Sequence, residues 1–156
     1  MSTFTKKADY GIVALSYMAL RPGAVCNARE ISERHNLPSA LLMNVLKLLS
    51  QGGLVRSIRG AKGGYVLVRG ADQISLAEII SAVDGPVGLV RCAAKHNGRR
   101  KPCDKMRTCP VSRPIRKVHR KLSELLSSVT LGQIAYDEDY GDPTVGRPLR
   151  RRGKTV

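Results

Sequence analysis

The sequence has no tryptophan, a single phenylalanine, and only 12 acidic residues against 27 basic ones. It also lacks any apolar run of about 18 residues, the length needed to cross a membrane as a helix, and it opens without the charged, apolar and small-residue succession of an export signal. The expectation is a cytoplasmic protein with no membrane partner. No grouping of nucleophile, base and oxyanion donors can be read along the chain, which together with the scarcity of large aromatic rings argues against an enzyme. There are no internal repeats, and 156 residues suffice for one domain with a modest core.

Close cysteine pairs are missing too. The four cysteines are Cys26, Cys92, Cys103 and Cys109, and the last three are separated by ten and five residues. Structural zinc sites usually take ligands in pairs two to four residues apart, so zinc is disfavoured by this spacing. In a reducing compartment an odd trio is better explained by metal or redox chemistry than by disulfides. Thiolates at irregular loop spacing suit the soft-donor requirement of an iron–sulfur cluster. Cys26, far from the trio and near a helix start, reads as a small buried residue.

What is present in excess is positive charge, at +15 net. Such a surface suits a polyanion, because each Lys or Arg that neutralises a phosphate releases condensed counterions. The charge is regional: residues 1–70 carry ten basic and three acidic side chains, residues 71–90 none and three, residues 91–120 eleven and one.

Periodicity then organises the chain. FTKKADYGIVALSYMAL has apolar residues at helical spacing and ends before Pro22 and Gly23. Asn27 followed by Glu30 predicts a capping box opening a short helix over Ala28 to His35. NLPSALLMNVLKLLSQGG starts a third helix near Pro38 and stops at Gly52 and Gly53. Two short helices across a tight turn make a helix-turn-helix. LVRSIR and YVLVR, joined through GAKGG, predict a basic β-hairpin directly behind it, hence a winged helix. Ser75 and Glu78 predict a second capping box, opening SLAEIISAV.

Beyond Pro110 the apolar residues Val111, Ile115, Val118, Leu122, Leu125 and Val129 recur by fours and threes, the spacing of a seam against another helix. That seam favours a homodimer, with an intramolecular core helix as the alternative. The fold class expected is mainly α with a small β-hairpin wing: a winged helix-turn-helix over 1–86, a cysteine-rich loop over 87–110, a long C-terminal dimerisation helix and its end over 111–135, and a disordered polar tail over 136–156.

In such a domain the second helix of the motif enters the major groove of double-stranded DNA with its N-terminal residues at the base edges. Here those are Ser39, Ala40, Met43, Asn44 and Lys47. Asn44 suits adenine, Lys47 a guanine or a phosphate, and Ser39 the DNA backbone. In the wing Arg59 and Lys62 flank glycines, and Arg59 is the candidate for minor-groove insertion. Lys6 and Lys7 are placed to meet phosphate.

The order of these elements, with DYGIVALSYMAL, AREISERHNLPSALLMNVLKLLSQGGLVRSIRGAKGGYVLVR, ISLAEIISAVDGP, and the run from VRC through CP to TLGQI, resembles the Rrf2 family of winged-helix transcription regulators over about residues 4–135. The resemblance implies a homodimer on a palindromic operator. It also implies an iron–sulfur cluster, 2Fe–2S or 4Fe–4S, on Cys92, Cys103 and Cys109, which senses nitric oxide, iron or redox state. The first cysteine gap is longer here than in the family pattern, and Ser112 stands where one branch carries a histidine ligand. By likeness to the nitric-oxide-sensing branch, the fourth ligand is Asp9, supplied by the other subunit; His96 and His119 are the alternatives. A regulator switched by thiol oxidation, or holding zinc, is the competing reading of the same trio.

Overall fold

The structure, a computed structural model, describes residues 5–88, 103–105 and 108–136. Cys92 and His96, and the tail beyond Tyr136, lie outside these residues.

The first helix, α1, spans Lys6–Ala19 and is capped by Thr5, whose hydroxyl oxygen accepts from the Ala8 amide. Ala8, Gly11, Ala14, Leu15 and Met18 on it are buried, so α1 is the central post of the domain, packed by α3, α4 and α6. Helix α2 runs Ala28–His35 and α3 runs Ser39–Gln51. The turn between them depends on Asn36, which sits at φ 50°, a left-handed conformation that asparagine tolerates better than most residues. Ser32 locks that turn by donating to the Leu37 carbonyl at 2.6 Å, and its hydroxyl also meets the Ser39 hydroxyl at 2.8 Å.

The hairpin is as expected. Strands β1 (Val55–Ile58) and β2 (Gly64–Leu67) pair antiparallel, Val55 opposite Leu67 and Ile58 opposite Gly64. Gly60 turns the tip at φ +120°, where an L side chain would be strained. A third, unanticipated rung is made by Cys26, which bridges antiparallel to Tyr65 through two backbone hydrogen bonds of 2.8 Å.

A single 3-10 turn, Ala71–Gln73, leads to α4 (Leu76–Asp84), which opens with the expected reciprocal capping box between Ser75 and Glu78. Arg69, at the end of the wing, adds an ion pair to Glu78 at 2.7 Å. After the cysteine region α5 spans Ser112–Ser128, and the chain then breaks at Val129. Thr130 and Gln133 form another capping box and open α6, Leu131–Ala135. This short helix returns to the winged-helix body: the Leu131 amide donates to the Ile74 carbonyl at 2.8 Å and the Tyr136 hydroxyl to the Ala19 carbonyl at 2.8 Å.

One capping arrangement differs from expectation. Asn27 does cap α2, accepting from the Arg29 amide at 2.9 Å, but Glu30 does not close the box. Its carboxylate accepts instead from the Tyr17 hydroxyl on α1. A buried phenol needs a partner, whereas the exposed Asn27 amide has water available, so the tertiary bond is preferred.

The core joins Leu15 and Met18 of α1, Ile31 of α2, Leu42, Leu46 and Leu49 of α3, Leu54, Ile79 of α4 and Leu131, all at 1% exposure or less. No helix among the described residues is long and apolar enough to cross a membrane.

Candidate nucleic-acid interface and cysteine site

Helix α3 is held by one face and free on the other. Leu42, Val45, Leu46 and Leu49 are buried, while Ala40, Met43, Asn44 and Lys47 lie exposed, 40 and 44 and likewise 43 and 47 being four residues apart, one ridge along the helix. Met43 is 50% exposed, an apolar side chain on a polar ridge with no partner in the core. Such a group matches a thymine methyl rather than water. Ser39 is exposed at the head of the ridge, yet its hydroxyl is engaged with Ser32, so it braces the turn as well as facing outward.

Helix α2, which precedes α3 in the motif, is tied to α1 by an aromatic–ionic knot. The Tyr17 ring carries the Arg21 guanidinium 3.7 Å above its centroid and meets the His35 ring edge-on at 5.5 Å. Burial, then the bond to Glu30, pushes the Tyr17 hydroxyl up to about 12, so it stays protonated and donating at any physiological pH. Partial burial, then the nearby Arg34 and Arg21 charges, lower His35 from its ordinary value. Neither contact was readable in the sequence, because Tyr17 and Glu30 are 13 residues apart and look like separate helix surfaces.

Arg59 and Lys62 both lie exposed at the wing tip. Arg56 is exposed on β1 next to buried Val55, a further cation that the alternation of the strand would have disclosed. Lys6 and Asp9 share the exposed first turn of α1.

Cys103 and Cys109 are half-buried and unpaired, and Cys26 is buried at 1% exposure with its thiol pushed up by burial and the nearby Glu30. The backbone around the second thiol is wound: the Cys109 amide donates to the Lys105 carbonyl at 2.9 Å and the Ser112 amide to the Cys109 carbonyl at 3.2 Å, so the turn runs into α5. Two thiols therefore stand ahead of the long helix, Cys109 in the turn that leads into it, of the right chemistry for a cluster and without a competing disulfide among the described residues. Among the described residues no three His, Cys, Asp or Glu side chains gather as a metal site. Asp9 of the same chain thus does not join Cys103 and Cys109. His119 sits seven residues into α5, about 10 Å along its axis from Ser112. Its Nδ1 is enclosed without a hydrogen-bond partner among the described residues.

On α5 the expected stripe divides. Leu122 packs against the core, beside a buried Leu126 that the expected stripe had not included, whereas Val111, Val118 and Leu125, spaced by seven, are 59%, 52% and 58% exposed. That single heptad line is the unpartnered part of the seam.

Residues 4–137 match the family described as Rrf2, iron-dependent transcriptional regulator. The chain belongs to the Rrf2 family. Among its relatives, the HTH-type transcriptional regulator IscR of Cronobacter sakazakii is 34% identical over 140 residues, 88% of this chain and 83% of the relative. The solved structure of T. potens IscR superimposes with a TM-score of 0.65 at 28% identity, covering 87% of this chain and 88% of that one. CymR, the global cysteine regulator of B. subtilis, gives a TM-score of 0.65 at 27% identity, covering 86% and 97%. This Rrf2 protein is therefore a transcriptional regulator with a winged-helix fold that resembles IscR.

Proposed function

We propose that this Rrf2 protein is a cytoplasmic, homodimeric repressor that binds a palindromic operator and whose DNA affinity is set by an iron–sulfur cluster held by Cys92, Cys103 and Cys109, with Asp9 of the partner subunit as fourth ligand. The observation that carries the reading is the pair of free, half-buried thiols ahead of α5, Cys109 in the turn that runs into its start, in a chain whose family is described as iron-dependent. A bound cluster would supply a site that nitric oxide, oxidants or iron shortage can alter.

The protein's own residues supply the relay. Cys109 lies just ahead of Ser112, the first residue of α5; α5 packs on α4, and α4 packs on both α1 and α3. At the far end Gly52 closes α3 so tightly against Ala82 of α4 that a Cβ on Gly52 would lie 2.8 Å from the alanine methyl. A shift of the cysteine turn is passed through packed helices to the α3 ridge. Arg59 and Lys62 hold the duplex at the wing while Asn44, Lys47 and Met43 address the bases.

A second reading, switching by thiol oxidation or with zinc in place of iron, is favoured by the likeness to CymR, whose name couples it to cysteine. One experiment separates the two: anaerobic purification, absorption spectroscopy, and iron and acid-labile sulfide analysis of the wild type and of Cys92→Ser, Cys103→Ser and Cys109→Ser. The cluster reading expects coloured protein with iron and sulfide that each substitution removes. Colourless protein that cannot be reconstituted, with DNA binding altered by thiol oxidation alone, overturns it in favour of the second.

A further inference from the structure

Helix α5 carries a strongly basic face that neither the core nor the exposed heptad line uses. Arg113, Arg116, Lys117 and Arg120 are all exposed, and among the described residues these four alone line an open cleft of about 400 Å³. With 3.6 residues to the turn, they point about 150° away both from Leu122 and Leu126 and from the line of Val111, Val118 and Leu125. The face therefore stays open whether or not a second copy covers that line.

The grouping is unfavourable in the free chain. The four stand at three- and four-residue spacings, Arg113 with Arg116 and Lys117, and Arg120 with the same two, and like charges so placed destabilise a helix. They also occupy its N-terminal half, where the backbone dipole opposes cations, and no acidic residue precedes Glu124. Compensation among the described residues is slight. Arg120 has Glu124 at 4.0 Å and Arg116 donates to the Ser112 carbonyl at 3.3 Å, while Arg113 and Lys117 have no such partner. An anion seated on the face relieves all of this at once.

The lining distinguishes between anions. A protein partner is held by a buried apolar or aromatic anchor, and this cleft is lined by cations alone. Phosphates need only cations. Arg113 to Arg120 covers about 10 Å of helix axis, a length over which duplex DNA presents about six phosphates.

We propose that the Arg113, Arg116, Lys117 and Arg120 face of α5 is a second phosphate-binding surface for double-stranded DNA, engaging duplex beyond the stretch addressed by α3 and the wing. α5 packs on α4, and α4 on α3, so the two surfaces belong to different layers of the protein. The inference rests on the DNA-binding reading above, and the contact it adds is independent of sequence.

The test uses the full chain and a random-sequence 40-base-pair duplex over a salt series. Wild type is compared with three variants: Arg113, Arg116, Lys117 and Arg120 all changed to Gln; Arg59 and Lys62 both changed to Gln; and the two sets combined. Circular dichroism and thermal melting verify the fold, and Arg113→Gln with Lys117→Gln is the milder alternative, since neither side chain has a partner to lose. The expected α5 result is a log–log salt slope shallower by about 0.9 for each phosphate no longer neutralised, with affinity at low salt weaker by at least about tenfold. The combined variant is expected to lose the sum of the two slope changes. A slope that changes for the wing variant but not for the α5 variant overturns the α5 surface and leaves the α3 and wing reading standing. So does an α5 variant that loses binding to polyglutamate but none to the duplex, which assigns the face to an acidic protein. Absence of wild-type binding overturns the DNA-binding reading, and the α5 surface with it.

Discussion

Cys26 and Tyr65 exchange two backbone hydrogen bonds of 2.8 Å, so the loop between α1 and α2 is an added rung of the wing. The wing is thereby clamped to the helix-turn-helix it flanks, rather than projecting as a free hairpin, which would be marginal in water by itself.

Gly64 is the residue that permits this approach. A Cβ there would lie 2.4 Å from the Cys26 carbonyl oxygen, a backbone atom that cannot rotate away. Gly64→Ala is expected to cost about 1–3 kcal/mol of folding stability, as overpacking does, and to weaken DNA binding by displacing Arg59 and Lys62. Urea denaturation and duplex binding of the variant check both.

The α3 ridge separates specificity from affinity. Asn44→Ala is expected to lose about 1–3 kcal/mol of discrimination at one base pair with the salt slope unchanged. Arg59→Ala and Lys62→Ala are expected to weaken binding to all sequences and make the salt slope shallower. Binding to an operator recovered by selection from random DNA, set against scrambled DNA over a salt series, tests the division; equal losses on both duplexes for Asn44→Ala would refute it.

The exposed heptad line on α5 predicts the outcome of breaking the proposed dimer. Val118→Glu and Leu125→Glu place charge where the chain itself has no packing to lose, since both side chains are more than half exposed. Analytical ultracentrifugation should find monomers with an unaltered circular dichroism spectrum. Leu126→Glu is the contrast: it buries a charge in the core and should unfold the protein.

Glu78 sets an acid limit. Its carboxyl is held below the ordinary range by the Ser75 amide and then by Arg69. The contribution to stability is therefore present above the unfolded carboxylate value and is lost as pH falls through the lower folded one. Ser75→Ala removes one reciprocal bond of the cap and is expected to cost about 1 kcal/mol at neutral pH. Glu78→Gln should keep the cap while flattening the loss of stability as pH falls through the carboxylate range, read from denaturant midpoints.

Much of this was open to inspection in the chain itself. The bounds of α2, the α4 capping box between Ser75 and Glu78, the hairpin around GAKGG and the free ridge of Ala40, Met43, Asn44 and Lys47 are written in spacings of two to seven residues. Within that range a residue's preferred backbone and the face it presents are fixed by local sterics and by helical or strand period. The basic surface, and with it a polyanionic partner, follows from composition alone.

Only tertiary structure decided the rest, because those choices are competitions between partners distant in sequence. Glu30 left a local capping bond for the buried hydroxyl of Tyr17. Cys26 gave its backbone to the wing. The α5 stripe was divided, Leu122 to the protein's own core, where Leu126 from outside the stripe joined it, and Val111, Val118 and Leu125 to the surface. Tyr136 reached back across 117 residues to Ala19. In each case a buried polar or apolar group took the partner that removed it from water, and no spacing along the chain records which partner that will be.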